Sequence, residues 1–173
     1  GLSADIARER QILSHVRRRA TTIIDTTHTT TKELRAKIIS LYGRDGSLPA
    51  MSIAVQSFGF KHGTPLDCDM MFDVRFLPNP FYVPELKEKN GNDADVVAYI
   101  EQSPVTQTFL RKLYDLIEFL LPEYTKEGKS QLMIGVGCTG GHHRSVFVAN
   151  ALGRFIESCG YQAQVIHRDL LKK

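Results

Sequence analysis

The chain has 173 residues, 42% apolar and 24% charged, with a net charge of +3. That suits one ordinary soluble domain, or one domain with a fragment of another, and excludes a low-complexity or collagen-like chain. No apolar run reaches the length of a membrane span, no stretch reads as a signal peptide, and Cys68, Cys138 and Cys159 have no paired spacing, so a reducing, cytoplasmic setting is expected.

The chain opens GLSAD without Met, which reads as a processed or truncated product. Residues 3–19 carry Ile6, Leu13 and Val16 at helical spacing, with Arg17, Arg18 and Arg19 as a solvated face. The β-branched run 21–26 predicts a short strand. Thr30 and Glu33 have the form of a capping box opening a helix through Leu34, Ile38 and Leu41, with Gly43 as its stop. Helix, strand and helix in about 45 residues cannot enclose a core. Residues 1–46 therefore read as the end of a larger α/β domain, and 43–49 (GRDGSLP) as a linker into a second domain, 47–173.

In that second part, 50–60 predicts a strand running out into SFGFKHG, and 71–77 predicts another that ends at Pro78-Asn79-Pro80. Alternation in the latter puts Asp73 and Arg75 on one face, as lining of a ligand site or as a surface ion pair. Residues 81–92 read as loop and 93–102 as a short helix. Ser103-Pro104 supplies a cap and a first-turn proline for a helix whose Phe109, Leu110, Leu113, Leu116, Ile117, Leu120 and Leu121 form a core face. Pro122 and Gly128 are expected to close it. A last strand is predicted over 161–166.

The stretch 131–157 organises the rest. An apolar strand runs into Gly137-Cys138-Thr139-Gly140-Gly141-His142-His143-Arg144-Ser145, and a helical pattern begins at Val146. Strand, glycine turn and helix bring backbone N–H groups together on an anion. Gly137, Gly140 and Gly141 allow positive φ and close approach, and Arg144 adds a bidentate donor for phosphate. The alternation of strands and helices makes the chain α/β, with this strand-loop-helix as a phosphate-binding element.

Three other motifs have the outline of known chemistry. Gly128-Lys129-Ser130 precedes a strand and lacks the first glycine of a nucleotide P-loop, so this chain has no Walker A motif. Cys138-x5-Arg144-Ser145 has the form of the cysteine-phosphatase loop, in which a thiolate attacks phosphorus; Gly137 replaces the usual histidine, and Asp73 is the candidate general acid. His142 and His143 with Cys138 and His62 lack zinc-ligand spacing, and no metal is expected.

With SFGFKHG (57–63), DVRFLPNP (73–80) and GCTGGHHRS (137–145) in this order, the chain resembles the RapZ/YvcJ family of bacterial nucleotide-binding proteins, one branch of which serves as an RNase adapter. The resemblance implies that residues 1–46 are the end of a P-loop kinase-like domain binding and hydrolysing ATP or GTP with Mg, and that 47–173 form a ligand-sensing domain without a cofactor. It implies that Thr139, Gly140 and Arg144 hold the phosphate of an amino-sugar phosphate or nucleotide sugar, with His62 and Arg75 nearby. Cys138, Gly141, His142, His143, Ser145 and Asp73 complete the candidate set. His142 stands where other members have Lys, and the end HRDLLKK is less basic than the RNA-binding branch requires. Arg168, Lys172 and Lys173 are the residues that would meet RNA. A regulatory, non-catalytic homo-oligomer is expected, with the phosphatase and the small-RNA module as alternatives.

Overall fold

The computed structural model describes residues 2–42 and 51–172. The expected linker, the Gly43 stop and Lys173 lie outside them. The chain divides into two units, Gly1–Pro49 and Ala50–Lys173.

In the first unit, α1 (Leu2–Arg19) and α2 (Thr31–Tyr42) bury no residue. The capping box is formed: Glu33 N–H donates to Thr30 Oγ1 at 3.3 Å, and the Thr30 amide donates back to Glu33 Oε2 at 2.8 Å. The strand expected over 21–26 does not form. A β-branched run becomes a strand only beside another strand, and none is described in this unit. Instead Asp25 Oδ1 accepts the Thr27 amide at 2.9 Å and starts a turn.

The second unit is a four-stranded parallel sheet with helices, in the order β2-β3-β1-β4. Its strands are β1 (Ser52–Gly59), β2 (Met70–Asp73), β3 (Gln131–Cys138) and β4 (Ala163–His167). Between β2 and β3 run α3 (Ala94–Glu101) and α4 (Pro104–Glu127), and α5 (Arg144–Ser158) joins β3 to β4. Alternation sends Ile53 and Val55 of β1 and Leu132, Ile134 and Val136 of β3 to one core with Leu113, Ile117 and Leu121 of α4 and Leu152 and Ile156 of α5. In register, Gly59 pairs with Cys138, so both central strands end at one level. Connections leave β1 and β3 in opposite directions across the sheet. The crevice between their carboxyl ends is where open α/β sheets place ligands.

Two expectations for this unit fail. The strand read over 71–77 stops at Asp73. Val74 N–H still reaches the Gly137 carbonyl at 2.9 Å, but the Arg75 and Leu77 carbonyls turn toward the Arg144 guanidinium instead of a neighbouring strand. Helix α4 also runs through Pro122 to Glu127. Pro122 is exposed, so the carbonyl it leaves without an amide donor, that of Glu118, faces water. Gly128, at φ 85°, then ends the helix in the left-handed conformation.

Candidate functional site

The loop 139–143 leaves β3 at the level of Gly59 and enters α5 at Arg144, two residues earlier than the apolar pattern suggested. Gly141 takes φ 82°. Gly137 and Gly140 do not have positive φ; Gly137 is needed because a Cβ there would meet the Phe58 ring at 2.5 Å. Close approach fixes the loop from two sides. A Cβ on Gly59 would lie 2.6 Å from the Gly140 carbonyl carbon, and the Gly91 amide donates to the His142 carbonyl at 2.8 Å.

Arg144 is only 5% exposed. Its Nη1 donates to the carbonyls of Arg75 and, at 3.2 Å, Leu77. Its Nη2 lies 3.4 Å from Thr139 Oγ1, and its Nε is buried with no partner. One edge of the guanidinium fork is thus anchored, while the Nε/Nη2 edge has a single long contact. No carboxylate pairs with it among the described residues. A buried cation in that condition is costly unless an anion meets it. The start of α5 is poised likewise. His143 at its N-cap makes no side-chain capping bond, and the amides of His142, His143, Arg144 and Ser145 meet no acceptor among the described residues. Free amides at a helix start and an unpaired guanidinium are the donors that anions meet in proteins.

Cys138 is buried, with Sγ accepting the Gly141 N–H at 3.2 Å and lying 3.2 Å from Ser145 Oγ. Ser145 is fully buried.

A cavity of about 770 Å³ opens over this loop. Of the residues singled out from the sequence, Cys138, Thr139, Gly140, His142, His143 and Arg144 line it. Gly141, Ser145, His62, Asp73 and Arg75 are not among its lining residues. Asp73 and Arg75 form the surface ion pair at 2.6 Å, each about half exposed; the hydrogen bond from Arg75 holds the Asp73 carboxyl below its usual range. The Arg75 guanidinium lies over the Phe60 ring, 4.3 Å from its centroid. His62 is half-buried, with Nε2 lacking a partner. Burial pushes the His143 imidazole below its ordinary value, and its Nε2 also has no partner. Among the described residues no group of three or more His, Cys, Asp or Glu could hold a metal.

Sequence reasoning missed most of the other walls. Lys61, Lys87 and Lys89 line the cavity, with Phe81 and Tyr82 and, from the C-terminal end, Leu170 and Leu171. Lys61 lies within SFGFKHG, and the two aromatics follow Pro80 in a loop otherwise rich in charge; the others carried no signal in the sequence. Asp169 was missed as well. It is fully buried, and it accepts from Gly59 N–H at 2.8 Å, Arg168 Nη2 at 2.6 Å and Lys172 Nζ at 2.8 Å. Burial alone would raise its pKa, but these donors outweigh it and hold the carboxyl well below the usual range. Arg168 and Lys172, read as RNA contacts, are both engaged with this carboxylate.

Residues 51–171, the whole sheet with its loop and cavity, match the family model of the RapZ C-terminal domain. The chain belongs to this family. A nucleotide-binding protein of Symbiobacterium thermophilum is 53% identical over 165 residues, 95% of this chain and 55% of the relative. Nucleotide-binding proteins of Caldicellulosiruptor saccharolyticus and Heliobacterium modesticaldum are each 49% identical, across 96% and 95% of this chain and 57% and 54% of their own lengths. The chain thus spans little more than half the length of the curated relatives it matches. The RapZ-type domain accounts for the second unit. No helix among the described residues is long and apolar enough to cross a membrane.

Proposed function

We propose that this chain is a ligand-sensing regulatory module that holds a phosphorylated metabolite, an amino-sugar phosphate or nucleotide sugar, at Gly137–Ser145 and performs no chemistry on it. The observation that carries this is Arg144: 5% exposed, unpaired by any carboxylate among the described residues, and anchored through Nη1 so that Nη2, with one long contact, remains for a phosphate. The uncapped start of α5 adds amide donors to the same point. Residues 1–46 are the end of a P-loop kinase-like domain. The nucleotide binding in the relatives' names belongs, in the complete protein, to that domain, with ATP or GTP and Mg. The complete protein works in the cytoplasm as a homo-oligomer. RNA is the weaker partner, because Arg168 and Lys172 spend their charge on Asp169.

The test is a thermal shift with glucosamine 6-phosphate and a nucleotide sugar, on the chain and on its Gly140→Ala variant. Gly140 has ordinary φ, and an added Cβ would meet only the ends of His142 and Lys61, at 3.3 Å or more, so the fold tolerates it while the methyl group occupies the cavity. A ligand at about 100 times its Kd stabilises the chain by about 2.7 kcal/mol. No shift with either compound refutes the reading.

One observation favours a second reading. Sγ of Cys138, within reach of Gly141 N–H and Ser145 Oγ, has the environment of a phosphatase nucleophile. Against it, Glu88 is the one carboxylate among the described residues lining the cavity, and Asp73 is tied to Arg75 outside it.

A further inference from the structure

Resting on the phosphate reading of the same cavity, we propose that its ligand carries a nucleoside diphosphate group. The diphosphate spans the Arg144 loop and Lys61, and the base lies on Phe81 and Tyr82. Two features of the cavity exceed what a monophosphate needs.

The first is charge. Arg144, Lys61 and Lys87 line the cavity without a carboxylate partner among the described residues, whereas Lys89 is paired with Asp95. A phosphate monoester brings at most about two negative charges, and both are met by Arg144 and the amides at the start of α5. Lys61 Nζ stands beside the loop, 3.9 Å from where a Gly140 Cβ would be. It is placed for a second phosphate bridged to the first.

The second is the apolar wall. Phe81 and Tyr82 sit on a short helical turn, Pro80–Tyr82, whose Pro80 is buried. The two residues are 50% and 80% exposed, their rings meet edge to face at 5.8 Å, and Lys87 Nζ lies 5.0 Å from the Phe81 centroid. Two rings displayed on a fixed turn at the edge of an anion cavity form a stacking platform for a planar base, and stacking tolerates any base. At about 770 Å³ the cavity lies in the upper part of the range for small-molecule sites, with room for both ends of such a ligand.

Calorimetric titration of the chain with UDP, UMP, glucosamine 6-phosphate and inorganic phosphate, without divalent metal, tests this. UDP is expected to bind on the order of tenfold or more tighter than UMP and glucosamine 6-phosphate. Tyr82→Ala and Phe81→Ala, both exposed and harmless to the fold, should each weaken UDP by about tenfold and leave inorganic phosphate unchanged. Lys61→Gln should erase the advantage of UDP over UMP. If glucosamine 6-phosphate binds as tightly as UDP, sensitive to Gly140→Ala but indifferent to the aromatic variants, this proposal falls and the phosphate reading stands. If UDP binds unaffected by Gly140→Ala, it binds elsewhere and the proposal falls. If no phosphate compound binds, both readings fall.

Discussion

The carboxylate of Asp169 accepts the Gly59 amide at 2.8 Å and so ties residues near the C-terminal end to the end of β1, the strand against which the loop 139–143 packs. Its other donors, Arg168 and Lys172, are partly exposed, so the cluster is worth less than a fully buried ion pair. Asp169→Ala should cost about 2–3 kcal/mol in urea denaturation, most of it from the stranded amide and guanidinium. Asp169→Asn, which can still accept from Gly59, should cost less. Equal losses would show that the ion pairs, and not the amide bond, carry the effect.

Arg144 holds the 75–77 turn as well as the loop, so Arg144→Ala should lower both stability and phosphate affinity. Losing a charge-assisted bidentate contact costs on the order of 2–3 kcal/mol in binding. Affinity must therefore be compared under conditions where the variant is folded, as checked by circular dichroism. An affinity for inorganic phosphate unchanged in the folded variant would remove Arg144 from the ligand site.

Cys138→Ser should leave ligand binding nearly intact, because a thiol facing an anion is a weak donor. The unmutated chain should not turn over p-nitrophenyl phosphate. Sustained release of nitrophenol that disappears in Cys138→Ser would promote the phosphatase reading over the sensor.

Burial lowers the His143 imidazole below its ordinary 6.5, so the folded chain takes up that proton less readily than the unfolded one. The sign follows from linkage: stability is fully present above 6.5 and is lost as pH falls from there through the folded value. His167, also lowered by burial, acts in the same sense. The urea midpoint should therefore drop between about pH 7.5 and pH 5. A His143→Gln chain should show a shallower drop; an identical slope would assign the effect elsewhere.

Helices α1 and α2 bury no side chain, and Ile12, Leu13 and Val16 are each more than half exposed. Their amides should exchange with solvent much faster than those of β1 and β3, whose Ile53, Val55 and Ile134 are at most 1% exposed. Equal protection across both units, read by mass spectrometry on a proven monomer, contradicts this.

The periodic elements and the strand-loop-helix of 131–157 were legible in the residue spacing. Each rests on neighbours a few residues apart: the apolar spacing of α4, the Thr30–Glu33 box, and the strand, glycines and arginine of 131–145. Whether 21–26 pairs as a strand, or how far 71–77 stays in the sheet, depends on partners far along the chain, and there local β-propensity misled. Proline at 122 looked like a stop because its cost is local, whereas the packing of Leu113, Ile117 and Leu121 that carries the helix through it is not. The same holds for the site. Tertiary structure alone brought Lys61, Tyr82 and Leu171 to one cavity, turned Arg168 and Lys172 toward Asp169, and set Asp73 with Arg75 outside it. A cavity wall is assembled from segments that meet only once the sheet order is set, and nothing in the spacing of those residues records that meeting.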